Sequence, residues 1–160
     1  MRSSLLVLAL LVFAGCASDE ADPAPDATSE ADAPVASENV FGVADAYTRA
    51  APAGGVSAVF LQIENTTATA DTLVAARTDA SDDVQIHETV TQANGQRGMQ
   101  EIGTIAVPAG GTVSLEPGGL HVMLLDLNRD LVEGDTLLVE FDFADRGTLV
   151  ARAPIRGLGS

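Results

Sequence analysis

The sequence predicts an all-β domain behind a long N-terminal leader, and three observations carry that expectation. From Asn39 onward, short runs of β-branched and aliphatic residues recur, each bounded by Gly, Pro, Asn or Asp turn signals. Several of these runs alternate apolar and polar residues with the period of a half-buried strand. No stretch shows a convincing amphipathic-helix pattern, and no internal repeat is found. Many short strands at this spacing argue for a sandwich or a closed barrel.

The leader divides in two. Residues 1–15 have the layout of a secretory signal: Arg2 supplies the positive start, and 5–14 is an apolar run too brief for a stable membrane span. The run closes on Phe13-Ala14-Gly15-Cys16, which resembles the lipobox of bacterial lipoproteins, although Phe13 stands where Leu is usual. That resemblance implies cleavage before Cys16 and acylation of this only cysteine, anchoring the chain to a lipid bilayer. The segment 16–38 is rich in Ala, Pro, Ser, Asp and Glu, with seven acidic residues and no basic one. It cannot bury enough apolar surface to offset its ordering entropy, so a disordered acidic linker is expected. Fully extended, it reaches about 70 Å.

The third segment, 39–160, is the folded domain. Its strand candidates are 56–64, 72–77, 84–88, 112–116, 120–126, 136–143 and 148–154. In the first, Val59, Leu61 and Ile63 alternate with a mixed second face. In 136–143, Leu137, Val139, Phe141 and Phe143 alternate with Thr136, Glu140 and Asp142. Pro108-Ala109-Gly110-Gly111, Pro117-Gly118-Gly119 and Glu133-Gly134-Asp135 read as turns, and 91–98 as a Gly-containing loop.

Charge narrows the function classes. Eight basic residues, all arginine, face 23 acidic ones for a net charge of −15, which disfavours nucleic acid as a partner. No phosphate loop or nucleophile elbow is present, so an enzyme is not expected. The domain holds no cysteine, which removes a blue-copper centre, thiol–disulfide chemistry and iron–sulfur ligation.

Chemistry concentrates in one window. The only histidines are His87 and His121, and the only methionines besides the initiator are Met99 and Met123. His121 and Met123, two apart on a strand, project to one face, while Leu120, Val122 and Leu124 take the other. Val84 and Ile86 turned to the core would direct His87 outward; Glu88 beside it reads as an ordinary surface acid more than as a hydrogen-bond partner of that histidine. Leu125 continues the face of His121 and Met123 and would shield it from water. Thioethers and imidazoles without a thiolate suit Cu(I) better than zinc. The alternative is that the methionines fill gaps in a core and the histidines are satisfied structural residues.

The spacing His87, Met99, then His121-x-Met123 resembles the metal signature of the periplasmic copper chaperone family, often called PCuAC. Residues 43–50, 58–65 and 118–124 are similar to that family's framework segments, and the likeness covers roughly 40–156. Two departures stand out: the His87–Met99 interval is one residue longer than the family pattern, and Met99 lacks a second nearby methionine. The resemblance implies a Greek-key, cupredoxin-like β-sandwich that binds Cu(I) through His87, Met99, His121 and Met123. It further implies a monomeric, extracytoplasmic metallochaperone in the periplasm or on the outer face of the membrane. Copper would pass to the copper-binding subunit of cytochrome c oxidase or to another copper chaperone. Against this stands a structural surface lipoprotein, or a copper storage protein with no delivery role. Four ligands converging on one rim favour a copper site; scattered or core-packed side chains favour the structural alternative.

Overall fold

The computed structural model describes residues 40–157, so the readings of a signal peptide, of Cys16 and of the 16–38 linker lie outside the described residues. Ten strands follow one another: β1 (Phe41–Arg49), β2 (Ser57–Asn65), β3 (Asp71–Thr78), β4 (Asp83–Thr91), β5 (Arg97–Glu101), β6 (Ile105–Val107), β7 (Gly111–Leu115), β8 (Leu120–Leu125), β9 (Thr136–Phe143) and β10 (Gly147–Arg156). No helix occurs among the described residues, and the all-β expectation holds.

The strands pair continuously in the order β5-β4-β8-β7-β2-β1-β10-β9-β3-β6. A short parallel contact joins the two halves, with Thr48 opposite Ile155 and Arg49 opposite Arg156. One face of each half enters a single core, where Val59, Leu61 and Ile63 of β2 belong with Leu73, Val139, Phe141 and Ile155 from the other half. The sheet therefore doubles over into two layers around that core. Each fully buried aliphatic or aromatic side chain contributes about 1.5–3 kcal/mol by leaving water.

Period outranks residue type in deciding what is buried. In β9, Leu137, Val139 and Phe141 are fully buried, while Leu138, as apolar as its neighbours, is 50% exposed. Asn65, which ends β2, spends its side chain on the structure. Its amide donates to the carbonyls of Thr69 and Pro108, and its carbonyl oxygen accepts from the Thr67 amide.

The 136–143 strand forms with the expected bounds, and the other six expected strands shift by only a few residues. Three strands carry too little local signal to be read. β1 mixes Gly, Ala and Asp among its apolar residues and is broken by a register shift between Ala44 and Tyr47, where Asp45 takes a left-handed backbone (φ 52°). β6 is three residues long. β5, Arg-Gly-Met-Gln-Glu, is a strand because β4 pairs with it, and its composition gives no hint of that. The 91–98 loop is consequently shorter than expected: β4 runs to Thr91, and a tight turn over 92–96 leads into β5 at Arg97.

Candidate metal centre

β4 lies between β5 and β8, and its pairing fixes which side chains share a face. His87 is opposite His121 on β8 and opposite Glu101 on β5. Met99 is opposite Thr89, and Met123 is opposite Gln85. Directly opposed residues project to the same side of a sheet, so His87, Met99, His121 and Met123 all stand on the face turned away from the core. Each methionine is then the diagonal neighbour of His87, a separation of about 7–8 Å that long side chains bridge. The opposite face of the same strands supplies Ile86, Val122 and Leu124 to the core, which anchors the register.

Met99, His121 and Met123 line one depression of about 180 Å³ together with Ala58, Phe60, Thr89, Pro117 and Gly118. His87 borders it through His121, their ring centroids 5.9 Å apart. His121 points away from the core and is nevertheless only 3% exposed. Its cover comes from Phe60, whose ring centroid lies 6.3 Å from the imidazole and 5.1 Å from Tyr47. Met99 is the open side, 63% exposed on the terminal strand of the sheet.

Hydrogen bonds set the tautomers. The Nδ1–H of His121 donates to the Gly119 carbonyl at 3.0 Å, leaving Nε2 as a lone pair. The Nε2–H of His87 donates to Gln85 Oε1 at 2.8 Å, leaving Nδ1 as a lone pair. Gln85 is held the right way round because its amide nitrogen donates to Asp83 Oδ1 at 3.0 Å. Both lone pairs, His87 Nδ1 and His121 Nε2, are buried without a hydrogen-bond partner. A buried acceptor left unmade costs about 1–3 kcal/mol. A metal-ligating histidine has this same layout, one nitrogen oriented by an oxygen and the other free to coordinate. Burial lowers the His87 pKa from its ordinary 6.5, and the facing His121 lowers it further against the opposing pull of Glu101 and Asp83. At neutral pH His87 is therefore in the unprotonated form that coordination requires.

No three His, Cys, Asp or Glu side chains converge among the described residues. The side chains gathered on this face are two imidazoles and two thioethers, donors of the kind that suit a soft monovalent ion.

Sequence reasoning missed three contributors. Gln85 sits two residues before His87 on one strand face, a period-two signal that was there to be read. Glu88, read from the sequence more as an ordinary surface acid than as a partner, falls on the opposite side of the strand and is exposed. The Gly119 carbonyl carries no sequence signal. Phe60 takes the covering part expected of Leu125, which pairs with Asp83 at the far end of β8 and does not line the depression. The mouth is pinned by Arg97, whose Nη2 donates to the Gly118 carbonyl at 2.9 Å.

The fold is that of a PCuAC-type β domain. The apo PCuAC domain from PmoF1 superposes with a TM-score of 0.63 at 26% identity, covering 74% of this chain and 98% of that one. CuI-DR1885 from Deinococcus radiodurans, determined in solution, gives a TM-score of 0.58 at 27% identity over 76% of this chain and 83% of that one. The profile of the family described as "Putative lipoprotein LpqE-like" matches residues 42–155. "Putative lipoprotein Lxx21020" of Leifsonia xyli subsp. xyli (strain CTCB07) is 32% identical over 157 residues, which is 98% of this chain and 89% of that protein. The chain belongs to the LpqE-like family.

Proposed function

We propose that the domain binds one Cu(I) through His87 Nδ1, His121 Nε2 and the sulfurs of Met99 and Met123. The observation that carries this reading is the opposed histidine pair, each ring presenting a buried, unpartnered nitrogen beside two thioethers. The Cu(I) form of DR1885 among the similar structures supports the choice of ion.

The use of the site follows from its openness. A carrier must hold its metal in transit and still release it, and Met99 at an exposed sheet edge offers an incoming ligand a place to start the exchange. The chain then acts as an extracytoplasmic metallochaperone. Residues 1–15 are a signal peptide, Cys16 carries the lipid anchor, 16–38 is a tether, and 39–160 is the copper-carrying domain. Such a tether raises the effective concentration of a membrane-anchored carrier near a membrane-bound acceptor. The copper site of cytochrome c oxidase is the acceptor proposed.

The test is Cu(I) titration of the protein against a chromogenic chelator, alongside His121→Ala. One equivalent bound by the parent and a marked loss in the variant support the site, and equal binding overturns it. For delivery, deletion of the gene should lower oxidase activity at limiting copper, with restoration by added copper and no complementation by His121→Ala. Normal oxidase activity in the deletion strain at limiting copper overturns the delivery role.

A further inference from the structure

The four proposed ligands differ sharply in how water reaches them. His121 is almost sealed and Met123 is half-buried, whereas Met99 is 63% exposed on the edge strand β5. With no cysteine in the domain, the sulfurs of the described residues are those of Met99 and Met123, and Met99 is the more exposed residue. Its surroundings are those of a surface strand. It pairs with Thr89, and its own neighbours Gln100 and Glu101 are exposed. A polar group placed on that side chain meets water and leaves the core untouched.

We infer that Met99 is a site of oxidation by peroxides, and that its conversion to the sulfoxide switches off metal binding while the fold persists. The inference rests on the Cu(I) reading above. The thioether sulfur attacks one oxygen of hydrogen peroxide, the O–O bond breaks, and the other oxygen departs as hydroxide, which takes the proton of the transferred OH and becomes water; the sulfur loses two electrons and gains one oxygen. Cu(I) favours the soft thioether, and the sulfoxide replaces that sulfur donor with a polar, oxygen-terminated group. Sulfoxides are reducible by dedicated reductases, so the change is reversible in principle. Coordination by a closed-shell soft cation takes up one sulfur lone pair and draws density from the other, so a site loaded with such an ion is oxidised more slowly. Oxidation of the empty carrier keeps it from accepting fresh metal.

The full chain in detergent is treated with hydrogen peroxide, metal-free or loaded with Ag(I), a closed-shell stand-in for Cu(I) that avoids redox chemistry with peroxide. Peptide mass mapping reads sulfoxide at Met99 and Met123 over time. Met99 oxidises first in the metal-free protein and is protected by Ag(I). After removal of the oxidant, Cu(I) affinity has dropped by at least the roughly tenfold that loss of even an outer-shell partner costs a metal site. The β circular-dichroism signal is unchanged. Met123 oxidising as fast as Met99, or the Met99 sulfoxide holding Cu(I) as tightly as the parent, overturns the inference. Untreated protein that fails to bind Cu(I) overturns the copper reading and the switch with it, an outcome distinct from a wrong order of oxidation. In Met99→Leu, peroxide should cause no early loss of the affinity that remains.

Discussion

His87 and His121 are directly opposed on antiparallel β4 and β8, and each ring is oriented by an oxygen that leaves its other nitrogen bare. The backbone register brings the two imidazoles together, and the hydrogen bonds choose which nitrogens remain available. Two separate structural facts thus converge on one small volume, and both are open to experiment.

Gln85 touches the proposed site only through His87. Gln85→Leu keeps a similar side-chain size on a half-buried strand position and removes the oxygen that accepts from His87 Nε2–H. Cu(I) affinity should fall by about 10–100-fold, as for loss of other outer-shell partners of ligating histidines. Chelator competition measures it; an unchanged affinity would show that the ring orientation is set elsewhere.

Met123→Leu separates packing from ligation. The substitution conserves volume, so unfolding free energy should change by less than about 1.5 kcal/mol. Cu(I) affinity should nevertheless drop, because a soft donor is lost. Phe141→Ala supplies the contrast: this fully buried core ring should cost about 3–5 kcal/mol in denaturant unfolding.

The lowered pKa of His87 sets a direction for pH. Its folded value lies below the ordinary 6.5 of the unfolded chain, so the unfolded state takes up the proton first as pH falls. This histidine's contribution to stability is intact above 6.5 and is lost as pH drops from there toward the folded value. Proton competition at His87 should likewise begin below 6.5, later than for a free imidazole. An NMR titration of the His87 ring should give a midpoint under 6.5 in the metal-free protein; a midpoint at or above it contradicts the burial argument.

Arg97 fastens the edge strand to the turn that precedes His121. Arg97→Gln should loosen Met99 and speed Cu(I) dissociation, with little change in global stability because the bond is exposed. The partner position is constrained as well. Gly118 has φ +86°, and a Cβ there would stand 2.6 Å from Arg97 Nη2, so Gly118→Ala should cost roughly 1–2 kcal/mol and perturb the mouth. Stopped-flow transfer to a chelator reads the first effect and thermal unfolding the second.

Cys16 is proposed as the lipidated N-terminus of the mature chain. Mass spectrometry of the native protein should find acyl mass on a peptide beginning at Cys16, and a soluble, unmodified chain starting elsewhere would contradict it.

The all-β class and seven of the strands could be read from local pattern, because alternation, β-branched runs and Gly/Pro turns are properties of neighbouring residues. The sequence also singled out His87, Met99, His121 and Met123, since these are its only histidines and non-initiator methionines and they cluster in one window. What local pattern could not decide was long-range pairing. β5 exists because β4 runs beside it, and with β5 comes the placement of Met99 on the rim. The opposition of His87 and His121, 34 positions apart in the chain, is a matter of register between β4 and β8, held by the core side chains on the other face of the same strands. Phe60 follows the same logic. On β2 it belongs by alternation to the outer face, and only tertiary packing against Tyr47 and His121 buries it. Residue type and spacing thus singled out the candidate donors, while cross-strand register and packing fixed which of their atoms meet and which of them water can reach.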